Sequence, residues 1–319
     1  MPEARFLITG ALGAIGVWTM RSLLDRGHQV VAFDLGGATH RLPLALDADQ
    51  LPRVTPVAGD ITDLAALERV LDEHAITNVI HLAALQVPFV RERPALGAHV
   101  NVVGTVNVLE AVRRRADRIG HVVLASSIAV YGPRGTLAGD DVPGTLYGVF
   151  KRADEGTAVR YHDDFGVSSI TLRPHTVFGP GRDQGLTSAP TQAMLAAAAG
   201  QPFHIPYGGR AQFQYAPDAG EAFARAALLD GYAGATAHNL DGTVAPVAEV
   251  ARLLREGEPA AEISSDETVL PFPEEVDARS FVALMGGPVC RPLADGVADA
   301  VSRFRALLDA DLVAPPAAA

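Results

Sequence analysis

Cysteine occurs once in this chain, at Cys290, and tryptophan once. A single thiol closes no intrachain disulfide and builds no cysteine-rich metal centre; it fits a reducing, cytoplasmic compartment. Positive charge is in deficit, with 26 Lys and Arg against 37 Asp and Glu, a net charge of −11. Binding a phosphate backbone needs a positive field, so nucleic acid is not an expected partner. The one basic run, Arg113 to Arg115, falls at the end of a predicted helix, where cations complement the helix dipole. No apolar run reaches the roughly 18 residues of a membrane span and no leader precedes the first predicted strand at Arg5, so neither a membrane partner nor a signal peptide is expected. Internal repeats are absent. Acid and histidine clusters such as His162, Asp163 and Asp164 lie on a predicted helix surface without convergent partners, which leaves no metal site.

What is present is a soluble composition, 48% hydrophobic and 20% charged over 319 residues, enough for a sizeable core. Strand and helix patterns alternate: strands at 5–9, 29–34, 54–57, 79–82, 121–125 and 169–172, and helices at 15–26, 64–74, 94–115 and 146–165. The segment 35–52 reads as loop. Such a succession predicts an α/β fold, a doubly wound parallel sheet whose ligands sit outside the carboxyl ends of the strands. After Pro174 the alternation loosens, which predicts a dinucleotide-binding unit at 1–174, rejoined by 211–241. A smaller C-terminal substrate-binding lobe is expected at 175–210 and 242–319, with a disordered tail from Pro315.

Chemistry enters at the first turn. Gly10, Gly13 and Gly16 follow the strand ending at Thr9 and open a helical pattern. A helix N-terminus carries unpaired N–H groups and roughly half a positive charge, so a turn without side chains lets a diphosphate settle on it. The second strand ends at Asp34, about twenty residues on, where an acid can hold a ribose 2′-hydroxyl.

A second signal is Tyr147 followed four residues later by Lys151. Positions i and i+4 share a helix face, so phenol and ammonium enter one space. A tyrosine hydroxyl ordinarily ionises near pH 10, and bringing that to about 7 takes roughly 4 kcal/mol. One cation about 4 Å away at an effective dielectric near 20 supplies about that much. Ser127, at the end of the 121–125 strand, offers a hydroxyl for the substrate oxygen.

With these residues in view, the chain resembles the extended short-chain dehydrogenase/reductases, the NAD-dependent epimerase/dehydratase group. The likeness runs from Arg5 to about Asp218. It is carried by Thr9–Gly16, Asp34, Gly59–Asp60, His81–Ala84, Asn101 with Gly104, Ser127 with Val130–Gly132, Tyr147 with Lys151, and Arg173–Pro174 with Gly179–Pro180. It implies a Rossmann-type fold and NAD as cofactor. The cofactor would be held by Gly10, Leu12, Gly13, Ala14, Ile15, Gly16 and Asp34, by Asp60 and Ile61 at the adenine, by backbone at Leu82, Ala83 and Ala84, and by Asn101, Tyr147, Lys151 and His175. Ser127, Tyr147, Lys151 and Asn101 are the expected catalytic group, Asn101 as a proton relay. Gln86, Ser127, Thr176, Arg182 and Arg210 are the polar residues left for substrate.

Departures narrow the chemistry. Members that eliminate water or decarboxylate carry an acid two positions beyond the catalytic Ser or Thr, where this chain has Ala129, and those reactions become unexpected. Thr176 stands where nucleotide-sugar enzymes have an asparagine, and Ala211, beside Arg210, where they have a phosphate-gripping arginine. The expected reaction is hydride transfer at a secondary alcohol of a sugar or sugar-like substrate, as net dehydrogenation or reduction. Epimerisation with retained cofactor is one alternative and a non-catalytic nucleotide sensor another. The helices 95–115 and 146–165 correspond to those that pair subunits in similar proteins, which implies a homodimer.

Overall fold

The computed structural model describes residues 4–37, 39–258 and 260–316. In chain order its strands are β1 (Arg5–Thr9), β2 (Gln29–Asp34), β3 (Val54–Ala58), β4 (Asn78–His81), β5 (His121–Ala125), β6 (Ser168–Arg173), β7 (Thr176–Phe178), β8 (Phe203–Ile205), β9 (Arg210–Tyr215), β10 (Ala235–Asn239), β11 (Thr243–Pro246) and β12 (Ile263–Ser265). Seven of them form one sheet in the order β10-β6-β5-β4-β1-β2-β3. Every neighbouring pair in it is parallel, as the alternating pattern predicts. Strands buried on both faces need no polar side, so β1 reads Phe6, Leu7, Ile8, all fully buried.

Successive side chains of β1 point to opposite faces, and each face has its own cover. Phe6 and Ile8 pack with Val17, Trp18 and Met20 of helix Ala14–Asp25 and with Ala219 and Phe223 of helix Ala216–Ala227. Leu7 packs with Leu67 and Val70 of helix Leu64–Glu73 and with Val108 and Leu109 of helix Gly104–Arg113. The helices at 14–25 and 216–227 cross closely because Gly220 presents no side chain: a Cβ there would lie 2.5 Å from the Trp18 carbonyl carbon. Strand order reverses at β1, which pairs with β2 on one side and β4 on the other, and the crevice opens there.

The rest of the chain builds a separate apolar cluster around Phe178, Met194, Phe213, Tyr215, Val250 and Phe304. A three-stranded sheet, β11-β9-β7, and the pair β12-β8 belong to this part. Of the returning segment 211–241, helix Ala216–Ala227 and β10 join the large sheet, whereas β9 joins the small one.

Three segments differ from the sequence expectations. The loop at 35–52 contains short helical turns at Thr39–Arg41, Leu42–Ala45 and Leu51–Arg53. A short helix, Val87–Glu92, begins with proline in its first turn, a position where a missing N–H costs nothing. The long helix from Pro94 is interrupted by a π-helical turn, His99–Val103. The stretch Pro94–Arg113 has a mean hydropathy of 1.3 over its most apolar window and is long and apolar enough to cross a membrane, which the sequence reading did not credit. One face of it is used in packing, with Val108, Leu109 and Val112 in the core beside buried Asn101 and Asn107. Of the expected disordered tail, 317–319 lie outside the described residues.

Candidate active site

The carboxyl ends of β1, β2, β4, β5 and β6 open into one cleft of about 570 Å³. Gly10, Gly13, Ala14, Ile15 and Gly16 line one end of it. Gly10 has φ +66°, and a Cβ there would lie 2.6 Å from the Ala83 nitrogen, so both conformation and the approach of β1 to β4 demand glycine. Helix Ala14–Asp25 starts with no side-chain cap and no acid in its first turn. Its leading N–H groups therefore remain for an anion in the cleft, the condition a dinucleotide diphosphate needs.

Leu12 is buried outside the cleft lining and acts through its backbone. Its N–H donates to Asp34 Oδ2 at 3.0 Å, and its carbonyl accepts from Arg41 Nη1 at 3.0 Å. Asp34 faces the cleft, and among the described residues its other oxygen has no hydrogen-bond donor. Arg41, 8% exposed, is held on Asp183 at 2.7 Å, so the glycine turn is tied to the Gly179–Gly185 loop across the cleft. Asp60 and Ile61 line the same end; Asp60 Oδ1 accepts from the Thr62 N–H and hydroxyl. Leu82, Ala83 and Ala84 form the wall.

Ser127, Tyr147 and Lys151 line the other end of this cleft. Thr145 caps helix Leu146–Phe165 by accepting from the Gly148 N–H at 3.0 Å, and Gly166 ends it with φ +73°. The first turn of that helix presses on the turn after β5: any Cβ at Gly148 would run into the Ala129 carbonyl oxygen. That contact seats the start of the helix on the turn that holds Ser127, whose Oγ accepts from the Ala129 N–H at 3.2 Å. Next to Ser127, Ser126 donates to Glu155 at 2.5 Å, and Glu155 holds Arg173 through two bonds of 2.7 Å. Lys151 is 2% exposed, and its ammonium faces Asp154 at 3.4 Å.

Asn101 sits in the π-helical turn, fully buried and outside the cleft lining. Its amide is used up by Leu85, accepting from the N–H at 2.8 Å and donating to the carbonyl at 3.0 Å. The side chain thus braces the Leu82–Gln86 wall from behind. His175 and Thr176 line the cleft. His175 Nε2 donates to the Pro273 carbonyl at 2.7 Å, which leaves Nδ1 to accept from the Thr176 hydroxyl at 3.1 Å. Burial lowers its pKa to about 4, so the ring is neutral.

Arg182 enters the cleft and donates to Gln86 Oε1 at 3.1 Å and Thr187 Oγ1 at 3.3 Å, while its Nε has no partner. Its guanidinium bonds no carboxylate among the described residues, and burial pulls its pKa down. Arg210 lies elsewhere, half-exposed and 3.8 Å from Glu274. Sequence reading passed over Asp183 and Asp154 and weighed Arg41 only as a cation that could stand beside Asp34. Asp154 had a legible signal, since i, i+4 and i+7 put Tyr147, Lys151 and Asp154 on one stripe. Arg41 and Asp183 had none, because their pairing spans 142 residues between two loops.

A sequence model of the NAD dependent epimerase/dehydratase family matches residues 6–234. The UDP-glucuronate 4-epimerase 2 of Arabidopsis thaliana is 35% identical over 183 residues, 54% of this chain and 42% of that protein. The matched region thus spans about two fifths of that relative's length. Among solved structures, the UDP-glucose 4-epimerase of Thermus thermophilus in complex with NAD superposes with a TM-score of 0.76 at 27% identity, covering 94% of this chain and 99% of that one. A partial-consensus L-threonine 3-dehydrogenase gives a TM-score of 0.80 at 25% identity, covering 95% and 99%.

Proposed function

The chain belongs to the NAD dependent epimerase/dehydratase family, and on that premise we propose that it is an NAD-dependent oxidoreductase acting at a secondary alcohol of a sugar or sugar-like substrate. One observation carries the reading: Ser127, Tyr147 and Lys151 open into the same cleft as an uncapped helix N-terminus and Asp34. NAD, when bound, supplies the hydride acceptor. The amides at Ala14–Gly16 hold its diphosphate, Asp34 the adenine-side ribose, Asp60 and Ile61 the adenine, and Lys151 the nicotinamide ribose. Ser127 orients the substrate hydroxyl, and Tyr147 takes its proton while the Lys151 ammonium stabilises the phenolate. Gln86, Thr176 and Arg182 supply the substrate's polar contacts, Arg182 favouring an anionic group, and the lobe of 175–210 and 242–319 encloses it.

A second reading, epimerisation with the cofactor retained, is favoured by the likeness to 4-epimerases of UDP-glucuronate and UDP-glucose. Ala129, placed in the cleft where an acid would assist elimination, supports both readings over dehydration. A panel of free sugars, aldonates, uronates and nucleotide sugars, with NAD reduction and stereochemical inversion followed together, decides between them. Reduced-nicotinamide absorbance in the purified protein favours the epimerase; no response from any substrate, with NAD still bound, points to a sensor.

A homodimer in the cytoplasm belongs to the same proposal. Val103, Leu146, Val149, Val159 and Phe165 stand exposed on the helices 94–113 and 146–165, which supports a subunit contact there. Light scattering that gives one chain's mass at micromolar concentration counts against it.

A further inference from the structure

Beneath Tyr147, helix Leu146–Phe165 buries two opposite charges, Lys151 at 2% and Asp154 at 4% exposure. Lys151 Nζ donates to Asp154 Oδ2 at 3.4 Å, its one protein hydrogen bond among the described residues, so two ammonium protons point elsewhere. Asp154 Oδ1 is buried with no partner. Behind the pair lies a polar column crossing the sheet's edge. The Thr105 hydroxyl, near the carboxylate, donates its proton to the Asn101 carbonyl at 2.6 Å and so accepts from His81 Nε2 at 3.2 Å; that leaves His81 Nδ1 to accept from the Thr9 hydroxyl at 2.7 Å. This column runs from the helix that carries the tyrosine and lysine back to the end of β1, where the glycine turn begins.

A buried carboxylate with one oxygen unsatisfied is costly, and packing alone gives no reason for it. A carboxylate beside the lysine does two things. It fixes the ammonium on the stripe shared with Tyr147, and its negative charge offsets the positive field that favours the phenolate. We propose that Asp154 is a positioning residue for Lys151, and that its charge sets the pH at which Tyr147 takes up the substrate proton. The inference rests on the reading of Tyr147 as base.

The groups that face Asp154 are Lys151 and Glu155 on its own helix and the Thr105 hydroxyl on helix Gly104–Arg113. His81, on β4, is held neutral by burial and by the nearby Lys151 charge and contributes no charge of its own. Burial raises Asp154 to about 6, against the opposing pull of Lys151. As pH falls through that value Asp154 takes a proton, the ammonium becomes unopposed, and the phenolate is favoured just where its own protonation would otherwise end activity. The pair therefore extends the working range toward acid.

Tyrosinate absorbance near 295 nm tests this without turnover. Each protein is titrated against the same protein carrying Tyr147→Phe, which removes the signals of the other five of the six tyrosines. Tyr161, Tyr207 and Tyr215 are in any case pushed upward, mainly by burial. The expected result is a difference signal in the wild type below the usual tyrosine range, displaced downward by about half to one pH unit in Asp154→Asn, the effect of one charge removed through a partly screened interior. Asp154→Ser, which removes the same charge with a smaller side chain, should move it the same way and serves should Asp154→Asn fail to fold by circular dichroism. A midpoint that stays put or rises in the folded variants overturns the role of Asp154 and leaves the base assignment standing. A wild-type signal confined to the usual range overturns both.

Discussion

On the proposed reading cofactor choice turns on Asp34, and its surroundings give the expected effect a size. Asp34 Oδ2 is committed to the Leu12 N–H at 3.0 Å, so the carboxylate is fixed at the end of β2 with one oxygen left for a ribose hydroxyl. A 2′-phosphate at that place would bring up to two negative charges to about 5 Å; at an effective dielectric near 40 the repulsion is about 2–3 kcal/mol, or roughly 30- to 150-fold in affinity. The cation that could offset it, Arg41, is already bound by Asp183 at 2.7 Å and by the Leu12 carbonyl at 3.0 Å. Calorimetric titration at one ionic strength should therefore show NAD binding more tightly than NADP by about that factor. In Asp34→Ala, the loss of a charged hydrogen bond worth about 1.5–3 kcal/mol weakens NAD about 10- to 150-fold and brings the two cofactors close together. Asp183→Asn loosens Arg41 and should improve NADP alone. Equal or tighter NADP binding by the wild type, or a ratio that Asp34→Ala leaves unchanged, would show that this carboxylate does not face the ribose.

Three further outcomes follow from the same geometry. Tyr147→Phe should abolish hydride transfer on whichever substrate responds while NAD affinity stays within about twofold, since the ring remains and the proton acceptor is gone; Ser127→Ala should lower turnover by roughly 10²-fold or more. Gly148→Ala, forced against the Ala129 carbonyl, should cost about 1–3 kcal/mol in urea unfolding and at least about 10²-fold in turnover, because it displaces the helical turn that carries Tyr147; a variant as stable and active as wild type refutes the tight seat. Stability should fall on mild acidification: burial lowers His81 to about 3 and His175 to about 4 against an ordinary 6.5, so the unfolded chain takes up their protons first. That stabilisation is complete above pH 6.5 and is lost as pH falls toward 4 and 3; Asp154, raised to about 6, works in the opposite sense over a narrower range. Urea midpoints at pH 7.5 and 5 check the sign, and His175→Gln should flatten the difference.

The large sheet was legible because its central strands β1, β2, β4 and β5 are short, largely apolar runs, and a parallel strand buried on both faces has no other appearance. The site was legible where its residues are neighbours in sequence: the glycine turn, the serine at a strand end, the tyrosine and lysine one helical turn apart. The strands β7, β9, β11 and β12 were not, since three- to six-residue strands carry too few positions for a period to show. Nor was the π-helical turn at His99–Val103, which follows from how Asn101 is claimed by Leu85 rather than from any local preference.

Packing also decides what each expected side chain has left to offer. His175 lines the cleft as expected, whereas Asn101 is buried behind its wall. Asn101 spends both ends of its amide on one backbone residue, and His175 spends both ring nitrogens on Pro273 and Thr176. Arg182 is the converse: its planar group makes two neutral hydrogen bonds, meets no carboxylate among the described residues, and leaves Nε open within a chain of net charge −11. On the proposed reading, a cation without a carboxylate partner in so acidic a protein is where a negatively charged substrate group would lower the free energy most, because there it would meet a positive charge that burial has stripped of water.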